Sequence, residues 1–379
     1  MRSMAIDRRA FLGLMAGWTL APALARAVGG PAAAVRADDP GAPLYLAARK
    51  RDGRFEAVLL DDTGTDRLVV PMPDRGHSFA IDPARGRAVA FGRQPGFFAV
   101  AFDVHGQTPP QALTVVPGRH FFGHGVFTPD GALMVATEND YEAGRGVLGV
   151  YDASAGGRYR RIGEFDSGGI GPHEVVLLRD GRTLCVANGG ILTHPDYGKL
   201  ELNLDRMQPS LAYVDVGSGE LLESVALPPE LHRLSIRHMT LDAQGAVWFG
   251  CQYTGAAGDQ PALVGRHRRG RAPELFHGPQ DTLRDMRNYV GSVAADAAGM
   301  VIATSSPVGG LIAYWDAASG RCLGRTEMFD GCGVAPHRHA GFLINSGRGA
   351  MGHAGPGLSL QTVLPAAPGM AWDNHFRRV

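Results

Sequence analysis

Four cysteines serve a chain of 379 residues, and none stands in a C-x-x-C or C-x-x-C-H arrangement. Covalent attachment of a c-type haem is thereby excluded. A nucleophile elbow, a Walker loop, an H-E-x-x-H helix and an EF-hand loop are missing too, and with them the commonest local signatures of hydrolase, nucleotide and calcium sites. Excess charge is absent: 37 basic residues face 37 acidic ones, which leaves no electrostatic case for nucleic acid or a membrane surface. Helical periodicity is scarce beyond the first 30 residues. No apolar run reaches the roughly 20 residues that a membrane-spanning helix needs.

Glycine is abundant, with 53 residues, about twice the usual ~7%, as suits a chain made of turns. The most informative stretch is GHGVFTPDGALMVATEND, Gly123 to Asp140. An apolar strand carries His124, Pro129-Asp130-Gly131 reverses the chain, and a second apolar strand ends in Glu138, Asn139 and Asp140. Proline presets φ, aspartate bonds its own backbone and glycine takes positive φ, so the segment reads as a β-hairpin. That places His124 and the Glu138–Asp140 cluster at the same open end. Similar hairpins start at Gly76, Gly171, Ile236, Val290 and Cys332, and their turn glycines (Gly86, Gly131, Gly181, Gly245, Gly299, Gly341) recur at spacings of 42 to 64 residues. Two further strand-like runs follow each hairpin. Four strands per repeat of this length indicate an all-β fold, a β-propeller. Seven blades are expected: a first with strands in 44–70, then 77–116, 124–163, 172–227, 237–277, 290–327 and 333–364. The first shows only three strands, and Met370 to Phe376 can supply its innermost one, closing the ring from both termini. The propeller then occupies residues 43–379.

Ahead of it, Arg8-Arg9 precede Phe11-Leu12 and a modest apolar run, with small-residue cleavage sites at Ala23-Leu24-Ala25 and Ala25-Arg26-Ala27. Residues 1–27 therefore read as a twin-arginine signal peptide and the destination as the periplasm. Residues 28–42 read as a disordered leader. The longest insertion, Gly189 to Pro209, leaves blade four on the same face as Asn188, and Asp281 to Asn288 suggest a short helical linker.

Histidines recur near the start of the first hairpin strand: His77, His124, His173 and His238, joined by His375 in the closing strand. Innermost strands line a propeller's channel, so these imidazoles form a partial ring at its mouth and offer ligands to zinc, copper, iron or a haem edge. Glu138, Asn139, Asp140, Glu174, Asn188, His194, Cys251 and Gln252 are candidates for further ligand contacts on that face. The competing interpretation is structural, with each histidine bonding neighbouring blades through both ring nitrogens. Cys185 reads as a buried thiol, Cys251 as a soft ligand beside His238, and a Cys322–Cys332 bridge is left open.

Taken together, GHGVFTPDG, ATENDY, GIGPHE, VANGGI with THPD, PSLAYVD, LPPELH, SIRHM, WFGCQY, RNYVGSVA, CGVAP and AWDNH resemble a bacterial domain-of-unknown-function family of twin-arginine-exported propellers, over most of residues 40–379. One departure is Leu192, ahead of Thr193-His194-Pro195, where an acid is the expected residue. Members of that family are often encoded beside imelysin-type iron-uptake lipoproteins and a cytochrome-like protein. The resemblance implies a periplasmic role linked to iron acquisition. The first reading of this chain is a monomeric, non-enzymatic accessory that binds iron, another transition metal or an iron-uptake partner at the histidine face. Two other functions fit the residues: a metal-dependent hydrolase of the lactonase kind using Glu138, Asp140 and Asn188, or an oxidoreductase on the same face; and an interaction scaffold with structural histidines.

Overall fold

A computed structural model describes residues 33–34, 42–198 and 200–379. The signal peptide expected at 1–27 lies outside the described residues, as does the leader at 28–42 apart from Ala33, Ala34 and Ala42. Repeated turn chemistry builds the architecture. In blade three the strand Arg119–Phe127 enters a turn where Gly131, at φ 66°, donates its N–H to the Thr128 carbonyl at 2.8 Å, while Asp130 accepts from Thr128 Oγ1 and the Ala132 N–H. Only glycine takes that φ without steric cost. The chain returns as Leu133–Asp140. The other five hairpin glycines also have positive φ, between 62° and 76°.

Seven antiparallel sheets result, forming a seven-bladed propeller. The strands Gly76–Asp82, Arg119–Phe127, Pro172–Leu177, Leu234–Leu241, Ser292–Ala295 and Gly331–Pro336 pack side by side around the axis. Met370–Arg378 completes that circle. It pairs antiparallel with Leu44–Arg51 and so becomes the innermost strand of the first blade, leaving no open edge along the seam. The two-residue strand Ala33–Ala34 adds to the outer side of the same blade. Apolar layers between blades hold the ring, with Trp248, Trp315, Tyr45, Tyr151 and Phe91 fully buried; each contributes on the order of 1.5–3 kcal/mol. Among the described residues no helix is long and apolar enough to cross a membrane.

The inner circle is irregular. Six of its seven strands lose register with their neighbours: between Gly76 and Phe79, Phe121 and Gly125, Pro172 and Glu174, Ile236 and His238, Gly331 and Val334, and Trp372 and Phe376. Ser292–Ala295 alone stays in register. A bulge bends its strand and re-aims the side chains within it. His77, His124, His173 and His375 lie inside these bulges, and His238 closes one.

The blade-three strand begins at Arg119, four residues before the hairpin read from sequence. Glu138, Asn139 and Asp140 consequently lie opposite Phe121, His120 and Arg119, not beside His124. The blade-four insertion folds into two 3-10 turns, Pro195–Tyr197 and Leu204–Arg206. Its base is tied by Asn203, whose amide donates to the Gly190 carbonyl at 2.8 Å and accepts the Leu192 N–H at 2.7 Å. The helical linker is the short α-helix Gln280–Asp285. All four cysteines are free. A Cys322–Cys332 bridge does not form, because Cys322 lies on the outer strand of blade six and Cys332 on the inner strand of blade seven.

Candidate metal centre

The bulges bring five imidazoles from five blades onto the axis, all of them buried. His375 sits centrally, its ring centroid 4.5 Å from His77, 4.6 Å from His124 and 4.8 Å from His238. His173 lies 4.7 Å from His238, and His77 5.1 Å from His124. Space around them is tight. Gly123 has φ 105°, and a Cβ there would stand 2.6 Å from Cδ2 of His77.

Two carboxylates orient the rings from behind. Asp373 Oδ1 bonds His77 Nδ1 at 2.9 Å, and its other oxygen meets Arg75 at 2.5 Å and Arg93 at 3.1 Å. Glu174 lies 3.5 Å from Nδ1 of both His124 and His238, accepts the Met239 N–H at 2.9 Å and pairs with Arg377. Burial alone would raise both acids. The His77 hydrogen bond with Arg93 and Arg75 holds Asp373, and Arg377 with His124 holds Glu174, well below the usual carboxylate range. Burial drives four of the imidazoles the other way. His77 falls to about 3 despite Asp373, His238 to about 4 despite Glu174, and His173 and His375 fall well below 6.5 with neighbouring cations adding to the effect. At neutral pH these rings are therefore neutral, the form that ligates metals.

Several of their nitrogens are left over. Nε2 of His124 and of His173, Nδ1 of His238 and both nitrogens of His375 are buried without a hydrogen-bond partner. His238 Nδ1 is 3.5 Å from Glu174, longer than a good hydrogen bond. Each such group costs about 1–3 kcal/mol if left unsatisfied, and a bound cation relieves several at once. Two trios already place ligand atoms within 4.8 Å of one another: His77, His124 and His173, and His124, His238 and His375. Metal–nitrogen bonds of about 2.0–2.1 Å bring ligand nitrogens closer than that, so small ring rotations are needed. A carboxylate on the far ring nitrogen is the usual support for a metal-ligating histidine. The donor set therefore fits a transition metal that accepts imidazole, such as zinc, copper, iron or nickel.

A cavity of about 720 Å³ opens over the cluster, lined by His77, His173 and His238 but not by His124 or His375. Gln252 and His194 also line it. The remaining residues singled out from sequence sit elsewhere. Glu138 accepts from Tyr151 at 2.6 Å and from Arg161 at 2.9 Å, Asp140 pairs with Arg119 and Arg145, and Glu164 links all three arginines. This ion network within blade three occupies the acids that a lactonase-like site would require. Asn188 is bonded to Ser167, and Asn139 donates to His120 Nε2 and the Thr193 carbonyl. Cys251 is opposite Ile236, not His238, and burial pushes its thiol up. Three residues around the site escaped the sequence reading: Asp373, Arg93 and His120. Asp373 stood within the AWDNH motif, two residues from His375, and His120 four residues before His124.

The family described as Protein of unknown function (DUF1513) matches residues 70–379. No curated protein matches the chain. Among solved structures, Kuenenia stuttgartiensis hydrazine synthase is similar at a TM-score of 0.57 with 14% identity, over 88% of this chain and 97% of that one. At that identity the likeness concerns the fold alone.

Proposed function

Because the chain belongs to the DUF1513 family, a group whose description names no activity, its function has to be read from its own site, and we propose that it is an exported periplasmic propeller that binds a transition metal, iron foremost, on its axis and serves iron acquisition without catalysis. The observation that carries this reading is the set of orphaned ring nitrogens among five buried histidines backed by Asp373 and Glu174. Arg8-Arg9 and the apolar run after them support export.

His124 is common to both trios and has Glu174 behind it, so it is the central ligand. His77 is fixed by Asp373, which leaves Nε2 to face the metal. His375 has no partner except the metal. Were the histidines purely structural, their nitrogens would be bonded to neighbouring blades, and His375 in particular would not be bare at both positions. The hydrolase reading loses its support because the Glu138 and Asp140 oxygens are engaged by arginines and the Asn188 amide by Ser167.

Elemental analysis of protein exported by its own signal and purified from the periplasm tests the proposal. The expected result is a stoichiometric transition metal, retained on dialysis. Protein that is metal-free as isolated and binds neither ferrous iron, zinc nor copper on titration would leave only the scaffold reading.

A further inference from the structure

The histidines lining the cavity suit a cation, but the rest of its wall does not. Arg93, Arg237 and Arg287 border it against a single carboxylate, Glu201. Arg93 is matched by Asp373. Arg237 has no carboxylate within ion-pairing distance among the described residues, and its Nε is buried without a hydrogen-bond partner. It occupies the bulge between Ile236 and His238, so the backbone distortion that aims His238 at the axis also fixes this guanidinium in the cavity wall. Arg287 adds a second cation at the exposed rim.

Charge balance points the same way. The imidazoles bring no negative charge to a metal. Asp373 is already shared between Arg75 and Arg93, and Glu174 is paired with Arg377. A bare divalent or trivalent ion would thus lie buried with no counter-charge of its own, which is costly, after passing an unpaired arginine. An oxygen-donor anion removes both difficulties. A guanidinium fork matches a carboxylate in two parallel hydrogen bonds, and the cavity, at about 720 Å³, has the volume of a small-molecule site.

Resting on the proposed metal site, we infer that the cavity takes its metal as an anionic polycarboxylate complex. Arg237 holds a carboxylate of the chelate, and His77 and His173 in the lining face the metal. Tyr289, whose hydroxyl accepts from Asn374 at 3.0 Å, and Gln252 supply further polar contacts.

Equilibrium dialysis tests this with three probes, cobalt(II) alone, citrate alone and cobalt(II) citrate, against the full chain and Arg237→Met. Visible absorption of cobalt reports imidazole coordination. The wild type is expected to take up cobalt citrate at least roughly tenfold more tightly than either component, the scale of one charge-assisted pair. Arg237→Met should abolish that preference while binding cobalt alone no less well. A wild-type preference below tenfold overturns the inference even if the variant fails to fold, and so does a folded variant that keeps the preference. Failure of the metal reading looks different: cobalt alone is not bound and no imidazole spectrum develops, whether or not citrate binds.

Discussion

Histidines gather twice in this molecule. On the axis five rings are buried, two carboxylates stand behind three of them, and five ring nitrogens have no hydrogen-bond partner. Beside the turn of the first hairpin of blade seven, the ring centroids of His337 and of His353 on the third strand lie only 4.1 Å apart, with His339 5.5 Å from His337. Here the nitrogens are occupied or open to water. His353 Nε2 donates to the Ala340 carbonyl at 2.7 Å, and His337 Nδ1 accepts the His339 N–H at 3.4 Å. The rings of the second group are as close as those of the first, so proximity does not make a metal site. Buried ring nitrogens without a protein partner do; an acid nearby is not enough, since Asp62 stands 3.8 Å from His337 Nε2 as well.

The comparison breaks most visibly if the axial group is removed. His124→Ala with His375→Ala takes a ligand from both trios, and elemental analysis should show the metal lost altogether while circular dichroism still reports a folded β protein. Metal retained at wild-type stoichiometry would mean that the centre lies elsewhere.

Acid gives the next largest effect, on metal-free protein. The folded-state values of His77 and His238, about 3 and about 4, and the low values of His173 and His375 all lie beneath the ordinary value near 6.5. The unfolded chain therefore binds more protons than the folded one, so stability is complete above about pH 6.5 and falls as pH drops toward 3–4, by roughly 1.4 kcal/mol per pH unit for each histidine. Urea titrations at pH 7.5 and 5.0 should show a clearly lower midpoint in acid. An unchanged midpoint would show that the axial rings are not buried neutral.

Asp373→Asn keeps the size of the side chain and removes its charge from behind His77. Metal affinity should fall by about 10–100-fold, measured by competition with a chelator, with little change in fold. The smallest effect belongs to the second gathering. His337→Ala with His353→Ala should leave metal content unaltered and stability within about 0.5 kcal/mol of wild type, and a loss of metal there would erase the distinction between the two groups.

The blades were legible because their physics is local and repeated. A Pro-Asp-Gly turn or its kin, flanked by apolar alternation, announces a hairpin without knowledge of the rest of the chain, and His77, His124, His173 and His238 announce themselves by recurring within it. The bulges were not legible, since one or two extra residues between register pairs leave no compositional trace. That concealed the true start of the blade-three strand, and Glu138 and Asp140 were read as neighbours of His124 when arginines of their own blade engage them. Asp373 reaches His77 across 296 positions and occurs once. Neither recurrence nor spacing marks such a residue; it joins the site only through ring closure.

The strand Met370–Arg378 is both the clasp of the ring and the carrier of His375 and Asp373. Assembly and ligand capture are thus one event: until this segment slots into the first blade, beside the inner strands of the seventh and second blades, one ligand and the anchor of another are missing. Any ion that prefers the finished centre pulls the clasp shut by mass action. Occupancy of the axis thereby becomes a check on whether the circle has been completed, and a chain deprived of this one strand would forfeit both together.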